Sequence, residues 1–200
     1  MTEMLPPTPE GIARAAELLR AGALIAFPTD TVYGVGVAAS HVDRLPALFE
    51  LKDRPAEKRI PMLVADLDQA AAAGWRADGR AKALADRYWP GALTLVLPGA
   101  DETQAFRAPD HAVALALIRA AGPILATSAN RSGEPDTLGA DEVLIAFAMR
   151  QGDLSAVVDG GRVPGGVAST VLDLSTTPAR ILREGPIRAD ELAATVDLAR

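Results

Sequence analysis

The sequence predicts an α/β fold built on a sheet of mixed strand direction. Short apolar runs bounded by Gly, Pro and Asp alternate along the chain with stretches whose apolar residues recur every three or four positions. This alternation follows no strict repeat, and the later strands have connections too short for a purely parallel, doubly wound sheet. The chain has 200 residues, 49% hydrophobic and 23% charged, which is the composition of one globular unit. A single domain over residues 8–195 is expected, with residues 1–7 as a flexible tail.

The elements follow in order. Residues 8–21 read as a helix: Thr8 is a cap, Pro9 suits the first turn, and Ile12, Ala15, Ala16 and Leu19 make one apolar stripe ended by Gly22. Ala23–Phe27 is a short apolar strand that runs into a polar, glycine-containing loop, PTDTVYGVG (28–36). Residues 42–51 return to helix, and KDRPAEKR (52–59) is a charged loop broken by Pro55. Pro61–Ala65 reads as a strand, 66–73 and 78–88 as helices, and WPGALTLVL (89–97) as a turn into a strand. Another strand is expected at 103–107, a helix at 112–121, a buried strand at 123–127, and a loop at SANRSG (128–133). A helix over about 140–150, strands at 156–158, 170–174 and 180–183, and a last helix from Ala189 complete the reading.

Composition excludes several chemistries. With no cysteine there is no disulfide, thiol nucleophile or Cys-held metal, and two histidines, His41 and His111, cannot make a three-His metal site. A net charge of −6 argues against tight non-specific nucleic-acid binding by the chain as a whole, though a local basic patch is compatible with it. No apolar run approaches the ~18 residues of a membrane span. The start, MTEMLPPTPE, lacks the basic and apolar regions of a signal peptide. A cytoplasmic protein with no membrane partner is the expectation.

Four loops carry the candidate chemistry: PTDTVYG, Lys52–Arg59, SANRSG and DGGRVPGGVAST (159–170). In α/β proteins such loops converge at one sheet edge, where ligands bind. Glycine admits backbone N–H groups close to phosphate, and hydroxyls and amides add directed hydrogen bonds. Each loop also has a plainer reading: PTDT as a proline turn with a helix cap, Lys52–Arg59 as a solvated charge run, the glycines as turns, and His111 as a structural residue at a helix start. No Walker A sequence occurs, and no G-x-G-x-x-G follows a strand. Together the loops supply hydroxyls, amides, glycines and cations without an obvious protein nucleophile. Such a set suits a polyanion and two substrates that react with each other, as in phosphoryl or nucleotidyl transfer.

The ordered series PTDTVYG (28–34), FELKDRP (49–55), WPGALTLVL (89–97), FRAPDH (106–111), TSANRSGEP (127–135), DGG (159–161), GGVASTVLDL (165–174) and ILREGPI (181–187) resembles the YrdC-like family of threonylcarbamoyl-AMP synthases. Eight motifs in the family's order and spacing cover roughly residues 8–190, and the length matches the family's single-domain form. The resemblance implies a twisted open sheet of mixed strands around a concave, positively charged cavity, with helices packed outside. It implies a nucleotidyltransferase that makes L-threonylcarbamoyladenylate and pyrophosphate from L-threonine, bicarbonate or CO₂, and ATP with Mg²⁺. Transferase proteins downstream would place the threonylcarbamoyl group on the tRNA adenosine beside the anticodon. The family's K-x-R and S-x-N signature falls on Lys52, Arg54, Ser128 and Asn130, expected as catalytic and phosphate-contacting residues. Thr31, Arg107 and Ser169 are expected to hold threonine, and Thr94 and Arg183 to contact nucleotide. Two departures stand out: Ala65 occupies a position where many members carry histidine, and only Thr137 remains of a threonine pair after SGEP. The competing readings are a module binding tRNA or double-stranded RNA, and a paralogue that forms or hydrolyses another carbamoyl-adenylate.

Overall fold

The computed structural model describes residues 1–53, 60–150 and 153–199. Helix α1 (Pro9–Arg20) begins where Thr8 Oγ1 accepts from the Gly11 N–H at 3.3 Å. It is followed by strands β2 (Leu24–Pro28) and β3 (Tyr33–Ala38), a 3₁₀ segment (Ala39–Arg44) and α2 (Leu45–Leu51). Next come β4 (Met62–Leu63), α3 (Leu67–Ala72), α4 (Gly79–Tyr88), β5 (Leu93–Pro98), β6 (Thr103–Arg107) and α5 (Ala112–Ala121). The chain continues through β7 (Ile124–Ser128), α6 (Ala140–Ala146), a 3₁₀ turn (Ala148–Arg150), β8 (Leu154–Val158), β9 (Thr170–Asp173), β10 (Arg180–Arg183) and α7 (Ala189–Ala193).

The expected flexible tail is corrected. Glu3–Leu5 form strand β1, which pairs in parallel with β8, and Leu5 is 5% exposed. The expected loop over 28–36 is also shorter than read. Its second half is β3, buried throughout and antiparallel to both β2 and β7. The signal was the alternation in YGVGVA, masked by its glycines. Gly36 is glycine because a Cβ there would lie 2.4 Å from the Leu125 carbonyl oxygen of β7.

Among the described residues the strands form one ten-stranded sheet, in the order β1-β8-β2-β3-β7-β4-β6-β5-β9-β10. Its strand direction is mixed, as expected: β2–β8, β4–β6 and β5–β9 are parallel, while β2–β3, β3–β7, β5–β6 and β9–β10 are antiparallel. Strand periodicity divides the side chains between two cores. Leu93, Leu95, Phe106 and Leu172 face the larger one, with Leu48 and Leu51 of α2, Leu84 of α4, Val143 of α6 and Leu192 of α7. On the other face Ile25, Phe27 and Ala156 pack with Ala15, Ala16 and Leu19 of α1 and Leu117 and Ile118 of α5. Helices α1 and α5 pack against each other there, α1 lying on β1, β2, β3 and β8 and α5 on β2. The part of that face formed by β4, β5, β6, β9 and β10 is where the alternating partners of the core residues point.

Candidate functional site

Those alternating positions line a cavity of about 440 Å³, within the usual range for small-molecule sites. Thr94 lies between Leu93 and Leu95, Ala105 and Arg107 flank Phe106, and Val171 precedes Leu172. Thr29 and Thr31 from the β2–β3 turn, Ser128 from the end of β7, Ser169 before β9 and Arg183 at the end of β10 complete the polar wall. Of the sequence-predicted residues, the structure thus brings together Thr31, Thr94, Arg107, Ser128, Ser169 and Arg183. Arg54 lies outside the described residues.

Two guanidinium groups dominate the charge. Arg107 Nη2 donates to Asp30 Oδ2 at 2.6 Å, and its Nε donates to the Gly91 carbonyl at 3.0 Å. This arginine therefore braces the backbone and also faces the cavity. Arg183 Nε and Nη2 donate to the Ser169 carbonyl at 3.0 and 2.9 Å, and Nη2 reaches Ser169 Oγ at 3.2 Å. Among the described residues no carboxylate pairs with it. Burial, and then the positive charge of Arg107, lower its pKa from the ordinary guanidinium value. A partly desolvated cation with no carboxylate partner favours an anion beside it.

Hydroxyls complete the wall. Thr94 Oγ1 and Ser169 Oγ share a hydrogen bond of 2.7 Å, and both side chains are buried. Thr29 Oγ1 donates to the Val32 carbonyl at 2.6 Å and sits 3.2 Å from Thr31 Oγ1, which fixes the PTDT turn. Thr29 and Asp30 were missed as site residues. The signal available was a lone acid inside a polar turn, with its arginine partner 77 positions away. Asp136, Gly166 and Ala168 also line the cavity and were not singled out.

Lys52 and Asn130 stand elsewhere than expected. Lys52 is 1% exposed and does not line the cavity; its ammonium lies under the SANRSG loop and donates to the carbonyls of Ser128 and Asn130. This lysine grips the loop backbone from behind the cavity wall. Asn130 is buried: its Oδ1 accepts from Ser128 Oγ at 2.6 Å and its Nδ2 donates to the Glu134 carbonyl at 2.6 Å. Ser128 thus meets the cavity while Asn130 sets its orientation from behind. Ala65 packs beside the smaller core, with its N–H donating to Gln69 Oε1 at 2.9 Å.

The family model for Sua5, YciO and YrdC, described as telomere recombination, matches residues 17–185. A threonylcarbamoyl-AMP synthase of Bacillus subtilis is 39% identical over 208 residues, covering 98% of this chain and 59% of that protein. Another, from Chromohalobacter salexigens, is 34% identical over 184 residues, covering 84% of this chain and 95% of its own length. The crystal structure of Pyrococcus abyssi Sua5 complexed with L-threonine superposes with a TM-score of 0.88 at 34% identity, covering all of this chain and 62% of that one. The chain spans 56–59% of the length of its Bacillus and Pyrococcus curated relatives.

Proposed function

This chain belongs to the Sua5/YciO/YrdC family, and we propose that it makes L-threonylcarbamoyladenylate and pyrophosphate from L-threonine, bicarbonate or CO₂, and ATP. Transferase proteins downstream would then carry the threonylcarbamoyl group to a tRNA adenosine. The observation that carries the reading is one cavity walled by Arg107, Arg183 and the hydroxyls of Thr31, Thr94, Ser128 and Ser169. No cysteine or histidine is among its lining residues. The names of the Bacillus and Chromohalobacter relatives and the threonine complex of the Pyrococcus relative support the choice of substrates.

The chemistry asks little of the protein beyond positioning and charge. The amine of threonine adds to CO₂ and loses a proton, giving a carbamate; with bicarbonate, that proton leaves with hydroxide as water. A carbamate oxygen then forms a bond to the α-phosphorus of ATP, and the bond from that phosphorus to the β-bridging oxygen breaks, releasing pyrophosphate. The nucleophile belongs to the substrate, so the wall has to align the two reactants and balance negative charge. Arg183, unpaired with any carboxylate among the described residues, supplies net positive charge. Arg107, neutralised by Asp30, is better fitted to orient a carboxylate than to add charge. Thr31, Thr94 and Ser169 offer short directed contacts for a small polar amino acid. Ser128, whose hydroxyl donates to Asn130 Oδ1, would redirect that proton to a phosphate oxygen.

Mg²⁺ enters as part of the MgATP substrate, held by phosphate oxygens and water. Among the described residues no group of three or more His, Cys, Asp or Glu is placed to cage a metal. The test is pyrophosphate release by the purified protein with MgATP, threonine and bicarbonate. Release should require both threonine and bicarbonate. Orthophosphate as the product, or release indifferent to either co-substrate, overturns the reading.

A further inference from the structure

Asp53 closes the segment after α2 in an unusual way. Its φ is 50°, the one non-glycine positive φ among the described residues. Aspartate tolerates this region better than most side chains, yet a residue held there invites a search for what its side chain does. The carboxylate is fully engaged. Oδ2 accepts from Arg131 Nε at 3.0 Å and Nη2 at 2.6 Å, and Oδ1 accepts from Arg150 Nη2 at 2.7 Å. Arg150 also lies 3.7 Å from Glu50. One carboxylate therefore joins three parts of the chain: the end of α2, the SANRSG loop and the 3₁₀ turn Ala148–Arg150.

The neighbouring contacts show what this junction holds. The Ser132 N–H donates to the Lys52 carbonyl at 2.8 Å. The Lys52 ammonium donates to the carbonyls of Ser128 and Asn130, and Thr137 Oγ1 to that of Ala129 at 3.1 Å. The loop is thus gripped from beneath by Lys52 and from outside by Asp53, and Ser128, the last residue of β7, faces the cavity with its hydroxyl on Asn130 of that loop. An exposed ion pair alone contributes little, but a forked arginine contact joined to a second arginine is the geometry in which such pairs couple.

We propose that Asp53 is a positioning residue for the proposed reaction: through Arg131 it fixes the SANRSG loop so that Ser128 meets the phosphates of the nucleotide. This rests on the nucleotide-binding reading of the cavity, so the experiment separates the two. Binding of MgATP to the wild type is measured first by calorimetric titration; absence of binding defeats the reading of the cavity itself. With that binding in hand, Asp53→Gly relaxes the backbone and removes the carboxylate, while Asp53→Asn keeps the shape and removes the charge. Both should weaken MgATP binding, Asp53→Gly by about 3- to 10-fold, the scale of one coupled ion-pair network. The threonine KM and the melting temperature should change little. Arg131→Gln should weaken binding similarly, and Asp53→Gly/Arg131→Gln should be no worse than the stronger single variant. Unchanged MgATP affinity in Asp53→Gly, effects of the two substitutions that simply add, or a loss of melting temperature that accounts for the weaker binding would each overturn the proposal.

Discussion

At the residue scale, Lys52 separates holding a loop from touching a substrate. A buried ammonium whose donors meet the carbonyls of Ser128 and Asn130 cannot be removed without stranding those acceptors. Lys52→Met should therefore destabilise the fold by about 2–4 kcal/mol, the range for breaking a buried charge-assisted contact. A urea denaturation midpoint checks this; stability left intact with activity lost would return Lys52 to the substrate. The family resemblance favours the opposite expectation, because the K-x-R signature marks Lys52 as important without saying which way its side chain points. Thr31, Thr94, Arg107, Ser128, Ser169 and Arg183 were legible through the family motifs, and all six line the cavity. Asp30 and Asp53 were not. Each acts through a partner 77 or 78 positions away, and nothing local in PTDT or KDR announces that arginine.

At the element scale, the helices were legible because their caps and stripes are local: Thr8 before α1 and Asp78 before α4 accept the N–H groups that a helix start leaves free. The outlying strand β1 was hidden because its partner β8 is distant in sequence, and β3 because its glycines mask the alternation that pairs it with β2 and β7. The path from β1 into α1 is tight. A Cβ on Gly11 would lie 2.0 Å from the Pro6 carbonyl oxygen, so Gly11→Ala must push residues 6–8 away from the helix. Leu5 would then leave its place beside α1 and β8, and burial of a leucine is worth about 1.5–3 kcal/mol. Gly11→Ala should lower stability on that scale and speed amide exchange in β8, the neighbour of β1. Hydrogen-exchange mass spectrometry checks both together with a denaturant midpoint; unchanged exchange in β8 would show that β1 contributes little.

At the scale of the whole molecule, pH acts through groups whose protonation changes on folding. Burial lowers the pKa of His111 from the ordinary 6.5, against the pull of Asp30 and Asp110, and its buried Nδ1 has no hydrogen-bond partner among the described residues. The native state binds this proton less readily than the unfolded chain, so stability falls as pH drops below about 6.5 toward the lowered native value. Carboxylates extend the trend to lower pH: Asp53, held down by Arg131, Glu142, held down by the Leu138 N–H and Arg162, and Asp190, held down by Arg188. Melting temperature should therefore decline from pH 7 to pH 5, and His111→Gln should flatten that decline while leaving the steeper loss at lower pH; an unaltered slope in the variant would place the acid sensitivity elsewhere. The cavity draws its wall from Thr29 through Arg183, across strands that span the sheet from β2 to β10. No short piece of the chain holds more than a corner of it, and a complete binding wall requires the sheet to be assembled from β2 to β10. Occupancy and folding are therefore thermodynamically linked across the molecule: a ligand at a hundred times its dissociation constant adds about 2.7 kcal/mol to the free energy of global unfolding. The same ligand would slow exchange in β2 and β10 alike, although the two strands never touch.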